Sequence, residues 1–183
     1  MQQNPQRLTR ILHWLSALIL IGLLASGIYM ADGHSYAFYD WHKAFGVIAL
    51  CLILFRFLHR AKHPWPSSTI GTKYEKSVKR VHNLLLIGGI LLPITGLLYS
   101  GLGGFGVSLF GLTLIPNGYN AAGEVIAFHK FGSDLGKLLH FYLGYLFTAL
   151  VILHIAAALK HHFINRDQTL NNMLKSQIKH NPK

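Results

Sequence analysis

Four apolar runs divide the chain, at about residues 11–30, 41–60, 79–100 and 134–163. Each is close to the length, about 20 apolar residues, that carries a helix across a bilayer. Polar or basic segments separate them. The pattern predicts an all-α fold: a four-transmembrane-helix bundle in one integral membrane domain over 1–183, ending in a basic tail over 164–183. The first run follows a basic segment, as the core of a signal peptide would. It is a full span long and no A-x-A cleavage site follows, so it reads as a spanning helix. In the third run, Gly88, Gly89 and Gly96 allow close helix approach, and Pro93 predicts a kink. The longest connection, over 100–133, is rich in glycine and aromatic residues and predicts a short interfacial helix or a cap over the bundle.

Composition supports a membrane reading. Hydrophobic residues make up 51% of the chain and charged residues 13%, the latter about half the usual share in a soluble domain. The net charge of +11 does not point to nucleic acid, because the cations sit between apolar blocks rather than in a stripe. The single cysteine, Cys51, lies inside an apolar run, which excludes an internal disulfide or a cysteine cluster. Of the 17 Lys and Arg, only Lys43, Lys130 and Lys137 fall on the side opposite the N-terminus, the second loop and the tail. By the positive-inside rule this predicts a multi-pass protein of the bacterial inner membrane, surrounded by lipid, with both termini cytoplasmic.

Histidines inside the spans carry the chemistry. His140 and His154 are 14 residues apart in the fourth run, which on a helix is about 21 Å along nearly one face. Buried ionisable residues in a span are costly and mark functional sites. The topology sorts four histidines by depth. His42 opens the second span and His140 the fourth, both at the outer surface. His13 in the first span and His154 lie at the inner surface. Two imidazoles at one depth on different helices fit opposite faces of a b-type haem, a six-coordinate arrangement suited to electron transfer. Two such pairs predict two haem b. Zinc fits less well, since it takes three or four protein ligands and neither carboxylate nor cysteine lies at these depths. His82, at the inner end of the third span, is a second choice in place of His13.

Further residues cluster around these levels. Gly46 and Gly144 lie one turn after His42 and His140 and leave room for a ring against backbone, or serve ordinary helix packing. Arg56 lies 14 residues after His42, on the same face at the inner depth. It is placed to hold a haem propionate, with snorkelling to headgroups as the alternative. His161 lies two turns past His154 and suits proton delivery to a quinone, or belongs with His162 to an interfacial pair. Lys43 adjoins His42, and Lys137 precedes His140 by one turn, with His129 and Lys130 near. Against these lysines stand Asp32, Asp40, Glu124 and Asp134, so only a local patch can steer an anion.

These features resemble the bacterial cytochrome b561 family. The resemblance is carried by Arg-Leu-x-x-x-x-His-Trp over 7–14, by His42, by Arg56 and Arg60, and by Pro93-x-x-Gly96. It extends to Phe-Gly-Leu before a proline over 110–116, the His140–His154 spacing and His161-His162. Membrane cytochrome b subunits of formate dehydrogenases and hydrogenases have a similar layout. The resemblance implies four spans, two b haems on His13, His42, His140 and His154, and electron exchange with ubiquinone near His161. It also implies a redox enzyme that takes electrons from periplasmic superoxide. An electron-relay subunit, exchanging electrons with a partner dehydrogenase or a periplasmic cytochrome, is the alternative. A haem-free structural membrane protein is the third possibility.

Overall fold

A computed structural model describes residues 5–33, 36–64 and 75–174. Lys73, Lys175, Lys179, Lys183, His34 and His180 lie outside the described residues. Four long helices carry the fold: α1 (Pro5–Ala31), α2 (Tyr39–Lys62), α3 (Glu75–Leu102) and α4 (Lys130–Phe163). All four are long and apolar enough to cross a membrane, with mean hydropathy between 1.8 and 2.1 in their most apolar windows. Each extends beyond its apolar run at one end or both. The extra turns are polar or interfacial residues, which a helix accommodates once the apolar run is nucleated.

The helices pack in chain order, with α4 lying mainly along α3. Small residues make that contact possible. A Cβ on Gly136 of α4 would meet the Tyr99 backbone nitrogen at 2.6 Å, and one on Gly88 of α3 would meet the Phe147 ring at 2.8 Å. Phe147, Ile53, Leu86 and Leu92 form the buried centre together with Ala44 and Ala49. Leu18, Leu146, Ile152 and Leu153 face outward. In water such faces would be a liability, whereas in lipid they carry no penalty, because acyl chains are as apolar as leucine.

The 100–133 connection forms a cap, but from β-structure rather than a helix. Strands β1 (Phe105–Leu109) and β2 (Leu112–Asn117) make an antiparallel hairpin, irregular between Val107 and Ser108. Its tip is the pair Phe110–Gly111, with φ of +49° and +95°. Two positive φ values define the tight turn that matches strand twist. Phenylalanine is uncommon there; its ring rests against Trp41 and Phe45 of α2, with centroids 5.6 and 5.7 Å away. Val107 is buried beneath the hairpin. Lys43 joins cap to bundle by donating to the carbonyls of Phe105 and Gly106 at 3.1 and 3.2 Å.

Beyond α4 the chain turns back. A short helix, α5 (Thr169–Leu174), returns to α1, where the Trp14 indole N–H donates to the Met173 carbonyl at 2.9 Å.

Candidate functional site

Near the capped end of the bundle, His42 on α2 faces His140 on α4. Their ring centroids are 6.2 Å apart and their planes 89° to one another. Both rings are held from behind. The Ser26 hydroxyl donates to Leu23 O at 3.1 Å, so it accepts from His42 Nδ1 at 2.9 Å. His140 Nδ1 lies 2.9 Å from the carbonyl of Leu92, the residue before Pro93, and 3.3 Å from the Thr95 hydroxyl. Only a donor suits a carbonyl, so His140 carries its proton on Nδ1. In both rings this leaves Nε2 with its lone pair free, the arrangement that backing groups impose on metal-binding histidines.

Toward the other end, His13 on α1 faces His154 on α4 with centroids 6.3 Å apart and planes at 71°. His82 on α3 also faces His154, at 5.4 Å. Two imidazoles that share one metal through bonds of about 2 Å bring their centroids to roughly 6 Å. The His42–His140 and His13–His154 pairs meet that requirement, and His82–His154 is too short. The spacing therefore favours His13 over His82. Among the described residues no group of three or more His, Cys, Asp or Glu side chains is gathered for a bare metal ion. Paired donors suit a metal that brings its own equatorial ligands.

The model of the prokaryotic cytochrome b561 family matches residues 6–176. The chain belongs to this family. It is 30% identical over 181 residues to Cytochrome b561 homolog 2 of Escherichia coli (strain K12), with 93% of each chain covered. Membership makes it a multi-pass membrane electron-transfer protein and implies b-type haem.

The residues present fit that group. Gly46 and Gly144, one turn past the capped-end histidines, border open space, with no atom within 4 Å of an added Cβ. Gly27 and Gly96 do the opposite: a Cβ there would meet His42 Cε1 at 3.3 Å and His140 Cε1 at 2.9 Å. Glycine thus gives both rings their positions and leaves room alongside them for a flat apolar ligand.

Arg56 lies at the inner level, as its spacing from His42 requires. Its Nη2 is 2.9 Å from His13 Nδ1. Guanidinium has no acceptor, so it donates, and neutral His13 then carries its proton on Nε2. Ligation through His13 Nε2 requires that proton to leave or move to Nδ1, where it would displace Arg56. A carboxylate of the bound group would give the released guanidinium a stronger acceptor than imidazole.

The lysines differ from one another in a way that sequence does not reveal. Lys43 is tied to the cap and paired with Asp40 at 3.1 Å, and Lys130 is paired with Asp134 at 2.9 Å. Lys137 is exposed, with its ammonium 6.0 Å from the Tyr99 ring centroid, and among the described residues it has no carboxylate partner. Lys43 faces a cleft of about 580 Å³ between α2 and the hairpin.

His161 is held more firmly than expected. Its Nδ1 donates to Asp167 Oδ2 at 2.5 Å, and Asp167 N–H donates to the His161 carbonyl at 3.1 Å. Slight burial acts to raise the Asp167 pKa, but the Thr169 hydroxyl and N–H and the His161 ring outweigh it and hold the carboxyl below its usual range. This half-buried clamp is therefore present above the ordinary carboxylate pKa and weakens as pH falls through the lowered value. Phe147, in sequence one more apolar residue of an apolar helix, sits seven residues from both His140 and His154, buried between the two levels. Its midpoint position was the available signal.

Proposed function

We propose that the protein binds two b haems, one on His42 and His140 and one on His13 and His154. It would pass electrons across the bacterial inner membrane from periplasmic superoxide to ubiquinone. The observation that carries this reading is the repeated pair of facing histidines, with the same spacing at two depths of one bundle. Bis-histidine haem supplies a one-electron couple with no open position at iron. The balanced reaction oxidises two superoxide anions to dioxygen and reduces one ubiquinone to ubiquinol, with two protons taken up.

The chain's own groups act at the two ends. Lys137, one turn from His140, attracts the anion and raises its encounter rate. Lys43 is offset by Asp40 and contributes mainly by anchoring the cap. At the other end His161 donates a proton from Nε2, while Asp167 fixes the ring through Nδ1. With both termini on the cytoplasmic side, that proton comes from the cytoplasm.

Three outcomes check these roles. Haem reduction by a superoxide-generating system should be abolished by superoxide dismutase, and reoxidation should follow on adding a ubiquinone analogue. Lys137→Gln should slow the superoxide-dependent step severalfold at low salt and converge with wild type at high salt, as Debye screening requires; equal rates at all ionic strengths would sink the steering role. Asp167→Asn should lower ubiquinone turnover on the order of tenfold, with superoxide-driven haem reduction unchanged and Asp167→Glu partly restoring turnover.

A relay subunit is the second reading. The exposed cluster of Trp41, Phe45 and Phe110 beside the cap offers a docking face for a periplasmic cytochrome. Dismutase-insensitive reduction, together with fast reduction by such a cytochrome, would select it.

A further inference from the structure

A second cleft, of about 470 Å³, opens along α1 near the terminal end of the bundle. Arg7, Arg10, Ile11, Trp14 and Leu18 line it, with Met173 of α5 beside them. Among the described residues no histidine borders it. Its most unusual member is Arg10, only 8% exposed. Among the described residues no carboxylate, carbonyl or hydroxyl pairs with its guanidinium. Its side chain forms part of the cleft wall. A largely desolvated cation without a partner is costly, and an anion seated against it removes that cost.

The walls define the rest of the ligand. Ile11, Leu15 and Leu18 are exposed along the bilayer-facing side of α1, and Trp14 is half exposed. Trp14 is fixed by its bond to Met173, at the depth where tryptophan marks the headgroup level. Arg7, one turn before Arg10 and exposed, adds a second guanidinium at the mouth. The site is cationic at its interfacial end and apolar along its length. Basic pockets of this kind on spanning helices hold acidic headgroups. A quinone ring is neutral and would leave both guanidinium groups unmatched.

We propose that this cleft binds an anionic phospholipid, its phosphate on Arg10 and Arg7 and an acyl chain along Ile11, Leu15 and Leu18. The planar guanidinium of Arg10 matches two phosphate oxygens. The bound lipid ties α1 to α5 and so covers the flank next to His13.

Native mass spectrometry of the purified haem-loaded protein tests this, with phosphatidylglycerol and phosphatidylcholine of identical chains as probes. Wild type should retain phosphatidylglycerol in preference to phosphatidylcholine by on the order of tenfold, and millimolar inorganic phosphate should not displace it. Arg10→Gln should bring the preference close to one. Arg7→Gln, at an exposed position, should reduce it partially and serves if Arg10→Gln fails to fold. Equal retention of the two lipids by wild type overturns the proposal, as does undiminished preference in both variants. Displacement by free phosphate would show an anion site without lipid specificity. Loss of haem from Arg10→Gln with lipid preference intact would assign the guanidinium to the cofactor instead.

Discussion

His154→Ala is expected to purify with about half the wild-type haem, and the haem that remains should be the one held by His42 and His140. His154 is the α4 member of the inner pair, 6.3 Å from His13 by ring centroid. His140 lies 14 residues away on the same helix and faces His42 on α2, with their own backing from Leu92 and Ser26. The outer pair therefore has no need of the inner one. The same logic separates His13 from His82. His13→Ala should lose the inner haem as His154→Ala does, whereas His82→Ala should keep both, because its ring lies too close to His154, at 5.4 Å, to share a metal in line with it. Optical difference spectra of the three variants, with haem measured per chain, check this. Full haem content in His13→Ala with half in His82→Ala would move the inner ligand to α3.

Gly96→Val should have the reverse effect and remove the outer haem alone. The first atom of any side chain at position 96 would lie 2.9 Å from His140 Cε1 and 3.1 Å from its Nδ1. Neither atom can yield without breaking the bond from Nδ1 to the Leu92 carbonyl, which sets the ring's direction. Overpacking of this kind costs about 1–3 kcal/mol where the neighbours can shift. Here the shift itself displaces the ligand, so haem loss rather than unfolding is the sensitive readout. Gly22→Val is the control, since an added Cβ at Gly22 has no atom within 4 Å. Normal outer-haem content in Gly96→Val would mean that His140 is not held where the Leu92 carbonyl places it.

These expectations trace to features of very different visibility in the sequence. The facing pairs were legible because three simple rules act together: apolar runs set the spans, helical rise sets depth, and a 14-residue spacing keeps one face. The cap was not legible as a hairpin. Its strands are short, its turn places Phe110 in a conformation that usually calls for glycine or asparagine, and its stability comes from Trp41, Phe45 and Lys43 on a distant helix. Lys43 shows the same limit. Adjacency to His42 fixed its depth, but not that two carbonyls and Asp40 surround its ammonium. Arg56 was placed at the right level, while its contact with His13 depends on side-chain packing that spacing does not encode. Phe147 looked like one more apolar residue in an apolar helix. Only the glycines opposite it, Gly88 and Gly89, reveal that its ring fills the gap between the two histidine levels.

The arrangement also explains why α4 is the longest helix among the described residues. It supplies one histidine of each facing pair, the ring that separates them, and His161 beyond the lower level. A break in α4 would uncouple the two levels, and none occurs: the helix is continuous from Lys130 to Phe163.

The most direct measurement is the haem-to-polypeptide ratio of the purified wild-type protein, taken together with the spin state of the iron. Two haems per chain, both low-spin and six-coordinate, are expected from two pairs of facing imidazoles. One haem per chain, or a five-coordinate high-spin signal from either, would contradict the assignment of His42 with His140 and His13 with His154.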